Sequence, residues 1–549
     1  MKASDLLVQC LEKEGITHIF GVPGEENADF MMSLRGSSIR FVLTRHEQGA
    51  AFMAEVYGRL TGNPAVCLGT LGPGATNLIT GVADANMDRA PMIVITGQGA
   101  TNRQHKESHQ IMDVVEMYRP VTKWAVSVRA PDSIPEIVRK AVRLSRTDKP
   151  GAVLIELPED VAKRDSKAEP IEPRRFRRPE PQAKDIDEAF KLILAAKRPI
   201  IIAGNGTVRR VASQALRRLC YATGIGVITT FMGKGSIPRD AAYNLFTIGL
   251  QQKDYPTLAV DEADLVITIG YDLVEYPPRL WNSGCKKTVI DIDVLPAEID
   301  ADYQPRIELV GEIERSLTML AERFENNGKL AYDFVQQRKS REHMINDIAA
   351  HKDDDTNGTI RPQKALWDVR AALGPNDILL SGVGAHKMWI ARYYQCDEPN
   401  TCIIPNGFCS MGLPLPGSIA AHLVHPDRKI FAIAGDGDFM MNVQEMETAH
   451  RLNADITVMV WEDGGYGLIA WKQDNEFGNH TDLSFGNPNW LELAKAFGWQ
   501  GQHVTRSRDL APAIQTALAH KGPSLIVIPI DYRENPLLTK RLGEISLTI

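Results

Sequence analysis

Ile430-Phe431-Ala432-Ile433-Ala434-Gly435-Asp436-Gly437-Asp438-Phe439 is a strand-length apolar run that breaks into a Gly-Asp-Gly turn, and a helical pattern holding Glu445, Glu447 and Ala449 follows it. Uninterrupted apolar runs of this length are what strands buried on both faces of a parallel sheet look like. Asp436 therefore stands at the C-terminal edge of a strand, the edge at which open α/β sheets bind ligands, and the flanking Gly435 and Gly437 let a phosphate or its metal approach the backbone. A second such run, Ile456-Thr457-Val458-Met459-Val460-Trp461, leads into Glu462-Asp463-Gly464-Gly465-Tyr466-Gly467, so Asp463 falls twenty-seven residues after Asp436 at the tip of a neighbouring strand. Two carboxylates and a loop carbonyl such as that of Gly465 give Mg²⁺ three oxygens and leave coordination positions for a diphosphate. Gly-Asp-Gly alone is equally a tight turn; the second carboxylate and the strand context favour the metal-diphosphate reading.

The same rhythm runs through the whole chain. Toward the N-terminus, His18–Val22, Ile39–Leu43, Ala65–Gly69, Met92–Thr96 and Ala152–Leu157 alternate with helical patterns, and Pro199–Ala203, Gly226–Thr230, Leu265–Gly270 and Thr288–Asp293 repeat the arrangement further on. This predicts an α/β protein of three doubly wound parallel-sheet domains, and 549 residues is a length that suits about three. The boundaries expected are 1–165, 185–325 and 360–549. Between the first two lies a charged, Pro-rich stretch, Pro173-Arg174-Arg175-Phe176-Arg177-Arg178-Pro179, which reads as a solvated connection rather than a nucleic-acid patch. The polar run His351-Lys352-Asp353-Asp354-Asp355-Thr356-Asn357-Gly358 marks a solvated helix end and the second connection. No sequence repeat relates the three parts.

Composition narrows the function. Hydrophobic residues at 44% and charged residues at 24% suit a soluble globular protein, and 62 basic against 69 acidic side chains leave a net charge of −7, which argues against nucleic acid as a partner. The apolar runs are far shorter than a bilayer span, so no membrane association is expected. The N-terminal Met1–Glu14 has the spacing of an amphipathic helix, without the apolar core of a signal peptide. Seven cysteines with no Cys-x-x-Cys pair fit a reducing, cytoplasmic compartment, most of them as small buried hydrophobes.

Gly-Asp-Gly followed after this interval by a second oxygen ligand before glycine resembles the cofactor motif of the thiamin-diphosphate enzymes. The first domain carries the other half of the resemblance: Thr44-Arg45-His46-Glu47-Gln48-Gly49-Ala50-Ala51, Leu71-Gly72-Pro73-Gly74-Ala75-Thr76-Asn77 and Ala85-Asn86-Met87-Asp88-Arg89-Ala90-Pro91 match the pyrimidine-binding pattern. The resemblance covers essentially the whole chain and implies thiamin diphosphate and Mg²⁺ as cofactors. By it, Glu47 bonds the pyrimidine ring and starts catalysis, Met411 in Asn406-Gly407-Phe408-Cys409-Ser410-Met411-Gly412 wedges the two cofactor rings together, and Asp436, Asp463 and Gly465 hold the metal. It also assigns Pro23, Gly74, Asn77, Gly384, His386, Gly435, Gly437, Asp438 and Tyr466 to cofactor binding, His386 being a diphosphate contact at a strand end. Read without it, Glu47 is a surface partner of Arg45.

Within that superfamily several segments are similar to acetolactate synthases, in particular to their catabolic, flavin-free branch: Ser108-His109-Gln110-Ile111-Met112-Asp113, Gly270-Tyr271-Asp272-Leu273-Val274-Glu275-Tyr276, Trp281-Asn282-Ser283-Gly284, Gly382-Val383-Gly384-Ala385-His386-Lys387-Met388-Trp389 and Pro529-Ile530-Asp531-Tyr532-Arg533-Glu534-Asn535-Pro536. The resemblance implies decarboxylation of pyruvate and joining of the resulting enamine to a second 2-oxo acid, with Gln110 donating to the substrate and His109 either supplying a proton or serving structure. It disfavours FAD and implies a homodimer or homotetramer acting on small 2-oxo acids. A 2-oxo acid decarboxylase is the alternative; a catalytically silent regulatory paralogue is a third, opposed by the presence of Glu47, Asp436 and Asp463. Three positions depart from the pattern: Leu71 before Gly-Pro-Gly, Trp471 one position before the acceptor-selecting tryptophan of biosynthetic relatives, and Lys234, expected near the pocket mouth or in solvent.

Overall fold

The apolar runs become the strands of three six-stranded, wholly parallel sheets in a computed structural model that describes residues 1–174, 177–209, 211–249, 254–326 and 330–540. Arg175 and Phe176 of the first connection, and 541–549 of the third expected domain, lie outside the described residues. The first sheet comprises β1 (His18–Gly21), β2 (Arg40–Leu43), β3 (Ala65–Gly69), β4 (Met92–Gln98), β5 (Trp124–Ser127) and β6 (Ala152–Pro158). The second holds β7 (Pro199–Ala203), β8 (Gly226–Thr229), β9 (Asn244–Thr247), β10 (Leu265–Ile269), β11 (Thr288–Asp293) and β12 (Ile307–Val310). The third holds β13 (Ile378–Ser381), β14 (Cys402–Ile403), β15 (Ile430–Gly435), β16 (Ile456–Glu462), β17 (Gln500–His503) and β18 (Ser524–Pro529).

Strand order runs β2-β1-β3-β4-β6-β5 in the first sheet and β14-β13-β15-β16-β18-β17 in the third. Counted from its own first strand, each is 2-1-3-4-6-5, so the two domains share one topology that no sequence repeat announces. The middle sheet, β12-β11-β10-β7-β8-β9, has instead the order of dinucleotide-binding folds.

The first and third domains are joined by one continuous hydrophobic core. Helix Glu47–Thr61 contributes Ala50, Ala51, Phe52, Met53, Ala54 and Val56 to it, all fully buried, and packs against helix Pro414–Val424 of the third domain. The approach is close because Gly417 carries no side chain: a Cβ there would lie 2.9 Å from Cγ2 of Val56. Helix Glu47–Thr61 starts where the His46 ring accepts from the Gln48 N–H at 3.0 Å and stops at Gly62, whose φ of +68° is left-handed. The middle domain keeps separate cores on the two faces of its own sheet.

Two expectations need correction. Lys234 is at neither the pocket mouth nor the surface: it is buried, and its ammonium donates to Oγ1 of Thr247 (3.1 Å) and the carbonyl of Ala391 (2.9 Å), stitching the middle domain to the third. The first connection is not uniformly solvated, because Arg178 is half-buried in ion pairs with Asp148 and Glu312. Five of the seven cysteines are buried, whereas Cys285 is half-buried and Cys409 exposed.

Candidate active site

At the C-terminal edge of the third sheet, the loops after β13, β15 and β16 enclose a cleft with an empty volume of about 510 Å³. Gly384, His386, Met411, Gly435, Asp436, Gly437, Asp438, Asp463, Gly465 and Tyr466 all line it, joined by Tyr532. β15 and β16 pair with Gly435 opposite Trp461, which brings the two turns side by side. Asp436 is fully buried and held by four donors: its Oδ1 accepts from the Gly437 N–H (2.8 Å), and its Oδ2 accepts from the N–H groups of Asp463 (3.2 Å) and Gly464 (2.7 Å) and from the Asn487 amide (2.8 Å). Burial, together with the Asp436 carboxylate beside it, pushes Asp463 up to about 7. Two acidic side chains pressed together in this way suit a divalent cation, which would remove their repulsion and take their oxygens as ligands.

The opposite wall suits an anion. Gly384 adopts a φ of +156° and precedes helix Ala385–Tyr393, whose first N–H groups have no partners within the helix. His386 Nε2 is buried without a hydrogen-bond partner among the described residues, 3.7 Å from an equally unpartnered Oδ2 of Asp438, whose Oδ1 accepts from the Gly412 N–H at 2.7 Å. That bond ties the segment carrying Met411 to the Gly-Asp-Gly turn. The chain thus offers a metal-diphosphate pair what it requires: paired carboxylates on one side, and an imidazole and free backbone donors on the other.

The first-domain residues form a second, separate group. Glu47 is buried at the first position of its helix, and its Oε2 accepts from the Asn77 amide at 3.0 Å; Gly74 packs beside it, a Cβ there lying 3.4 Å from Glu47 Oε1. Glu47 is therefore no surface partner of Arg45. Gln110, exposed at a φ of +57°, lies against Gly72, and His109 is exposed next to it. Pro23 is exposed after β1, beside the Gly24 turn. No described first-domain residue lines the Asp436 cleft, so one chain presents two half-sites.

Sequence reasoning passed over several residues that shape these half-sites. Asn487 bridges Asp436 and Glu462, donating to both (2.8 and 3.1 Å) from a loop with no motif to mark it. Glu55, Asp84 and Asp88 bury three carboxyl groups with oxygens within 4.8 Å of one another; Asp84 and Asp88 accept from the N–H groups of Ser410 (3.0 Å) and Gly407 (2.6 Å), so first-domain acids hold the Met411 segment. Glu55 lies on helix Glu47–Thr61 and Asp84 on helix Pro73–Met87, which packs against it, so only the fold makes their proximity visible. Trp471 is buried in the third-domain core rather than exposed in the cleft.

Known proteins match the chain in all three domains. Residues 1–117, 186–320 and 382–528 match the N-terminal TPP binding domain, the central domain and the C-terminal TPP binding domain of the thiamine pyrophosphate enzymes. Acetolactate synthase of Bacillus subtilis (strain 168) is 33% identical over 100% of this chain and 97% of its own length. The catabolic acetolactate synthase of Raoultella terrigena is 36% identical over 99% and 97%, and the chloroplastic acetolactate synthase 2 of Nicotiana tabacum 34% over 98% and 83%. With its three domains matched in order and such relatives aligned from end to end, the chain belongs to the acetolactate synthase family of thiamine pyrophosphate enzymes.

Proposed function

We propose that this protein is an acetolactate-forming carboligase: it decarboxylates pyruvate and joins the remaining two-carbon unit to a second 2-oxo acid. Thiamin diphosphate, when bound, would supply the electron sink for the loss of CO₂. The observation that carries the reading is the coexistence, in a chain related end to end to acetolactate synthases, of the Asp436–Asp463 pair and the buried Glu47.

The chain's own residues bind and orient. Asp436, Asp463 and the Gly465 carbonyl would hold Mg²⁺, and His386 with the N–H groups at the start of helix Ala385–Tyr393 would take the diphosphate. Glu47, fixed by Asn77, would offer its carboxyl group as hydrogen-bond partner and proton carrier to the pyrimidine of a bound cofactor, and Met411 would supply the apolar bulk that packs against it. Gln110 would donate to the substrate carbonyl or carboxylate, and His109 would either supply a proton or serve structure.

Because no described first-domain residue lines the Asp436 cleft, each site is completed by a second copy, in a homodimer or a tetramer of such dimers. The acidic edge of the middle sheet supports a flavin-free protein: Asp272, Asp291, Asp293 and Glu298 outnumber Arg89 and Lys149 there and oppose a pyrophosphate bridge. Domain limits near 165–185 and 325–360 and a cytoplasmic location complete the proposal; among the described residues no helix is long and apolar enough to cross a membrane.

The test is product analysis after incubation with pyruvate, Mg²⁺ and thiamin diphosphate. Acetolactate, read as acetoin after acid treatment, is expected; acetaldehyde alone would make the enzyme a decarboxylase. A flavin absorbance band in the purified protein would overturn the flavin-free assignment.

A further inference from the structure

A second cavity, with an empty volume of about 950 Å³, opens where the three domains and the first connection meet. Its wall carries five arginines, Arg59, Arg89, Arg146, Arg178 and Arg209, against two aspartates, Asp88 and Asp148. Part of this charge is matched: Arg59 pairs with Asp88 (3.1 Å), Arg89 with Asp272 (3.3 Å), and Arg178 with Asp148 and Glu312. The rest is not. Nη1 of Arg209 and Nε of Arg178 are buried with no hydrogen-bond partner among the described residues, and Arg209 Nη1 stops 3.9 Å from Asp148, too far to donate.

A buried donor left without an acceptor is destabilising, so two guanidinium nitrogens orphaned on one wall point to an acceptor that belongs there. The fork of a guanidinium matches the oxygens of a phosphoryl group, and several such forks converging from different domains favour a multiply charged anion over a single carboxylate.

We propose that this junction binds a phosphoryl group, either free phosphate or the phosphate end of a small metabolite, with Arg209, Arg178 and Arg146 as its donors. Such an anion clamps all three domains, because Arg146 comes from the first, Arg178 from the connection and Arg209 from the middle, while Asn400 of the third domain closes the rim. It also reaches the active site through Asp88, which lies on the same wall and accepts from the N–H groups of Asn406 (3.2 Å) and Gly407 (2.6 Å) at the start of the segment that carries Met411.

The experiment is calorimetric titration of the holoenzyme, its cofactor cleft filled, with inorganic phosphate and separately with ADP. Expected is saturable binding of phosphate that weakens roughly tenfold or more in Arg209→Gln, with pyruvate turnover in phosphate-free buffer unchanged because Arg209 lies outside the cleft. Arg209-dependent binding of ADP alone supports the site with a larger metabolite as the source of the phosphoryl group. Arg146→Gln, at a partly exposed position, repeats the test should Arg209→Gln fail to fold. Binding equally tight in both variants, or no saturation with either probe in the unaltered protein, overturns the proposal. The readout is binding, so it stands apart from which product the active site makes.

Discussion

Oε1 of Glu445 accepts from the backbone N–H of His46 at 3.0 Å and from that of Arg45 at 3.1 Å, so a third-domain carboxylate holds the chain immediately before Glu47. Glu445 is itself buried, fixed by the Thr448 hydroxyl, and close enough to Gly49 that a Cβ there would lie 2.7 Å from Oε1. Glu445→Ala removes the shared acceptor of the Arg45 and His46 N–H groups. It should cost about 2–3 kcal/mol in denaturant unfolding and lower kcat, while Glu445→Gln, which keeps one acceptor oxygen, should lose less of both.

Glu47→Gln keeps the size of the side chain and its Asn77 contact but cannot exchange a proton. Turnover of pyruvate should fall by about 10²–10⁴, with thiamin diphosphate binding, followed by fluorescence quenching, changed little. Activity close to that of the unaltered protein would remove Glu47 from the mechanism.

Stripping divalent metal with EDTA should abolish turnover, and Mg²⁺ should restore it. Asn487 touches the centre only through Asp436, so Asn487→Ala should shift the Mg²⁺ concentration for half-activation upward by about 10–100-fold and leave kcat at saturating Mg²⁺ much less affected.

The buried acids make stability depend on pH. Burial, reinforced by Asp84 and Asp88, holds the Glu55 carboxyl well above the usual carboxylate range, and burial with the Asp88 charge pushes Asp84 up to about 7; Arg59 and the Ser410 N–H act in the opposite direction. Both groups bind protons more tightly in the folded chain than in the unfolded one. Their contribution is therefore fully present below about pH 4 and drains away as pH rises through about 7. In Glu55→Gln the amide can donate to the orphaned Oδ2 of Asp84. Its urea midpoint should exceed that of the unaltered protein by the equivalent of about 1–3 kcal/mol near pH 8, with the gap closing toward pH 5.

Much of this was legible in the sequence because interior strands announce themselves. β3, β4, β6, β7, β10, β15 and β16 are apolar on both faces, and the turns at their ends carry Asp436 and Asp463 at a countable interval. β5, β9, β12, β14 and β17, which the pattern does not single out, all lie at sheet edges, where one side is unpaired and the residues are shorter-run or more polar, as in Gln500-Gly501-Gln502-His503. β18 is interior and its run Ser524-Leu525-Ile526-Val527-Ile528 is as clear as that of β15. Lys234 misled because a lone lysine beside glycines looks solvated; only the packing of the middle domain on the third supplies the Ala391 carbonyl that buries it. Asn487 and the Glu55–Asp84 pair carry no local signature, since their partners lie far away along the chain.

The continuous core beneath helices Glu47–Thr61 and Pro414–Val424 has a thermodynamic consequence. Residues at opposite ends of the chain cannot lose their packing independently, so the first and third domains should melt as one cooperative unit, with the middle domain, which has its own cores, as a separate transition. Heating followed by scanning calorimetry should resolve two events for three domains. The segment between the half-sites would then be the piece that can come apart while the two catalytic layers stay folded around each other.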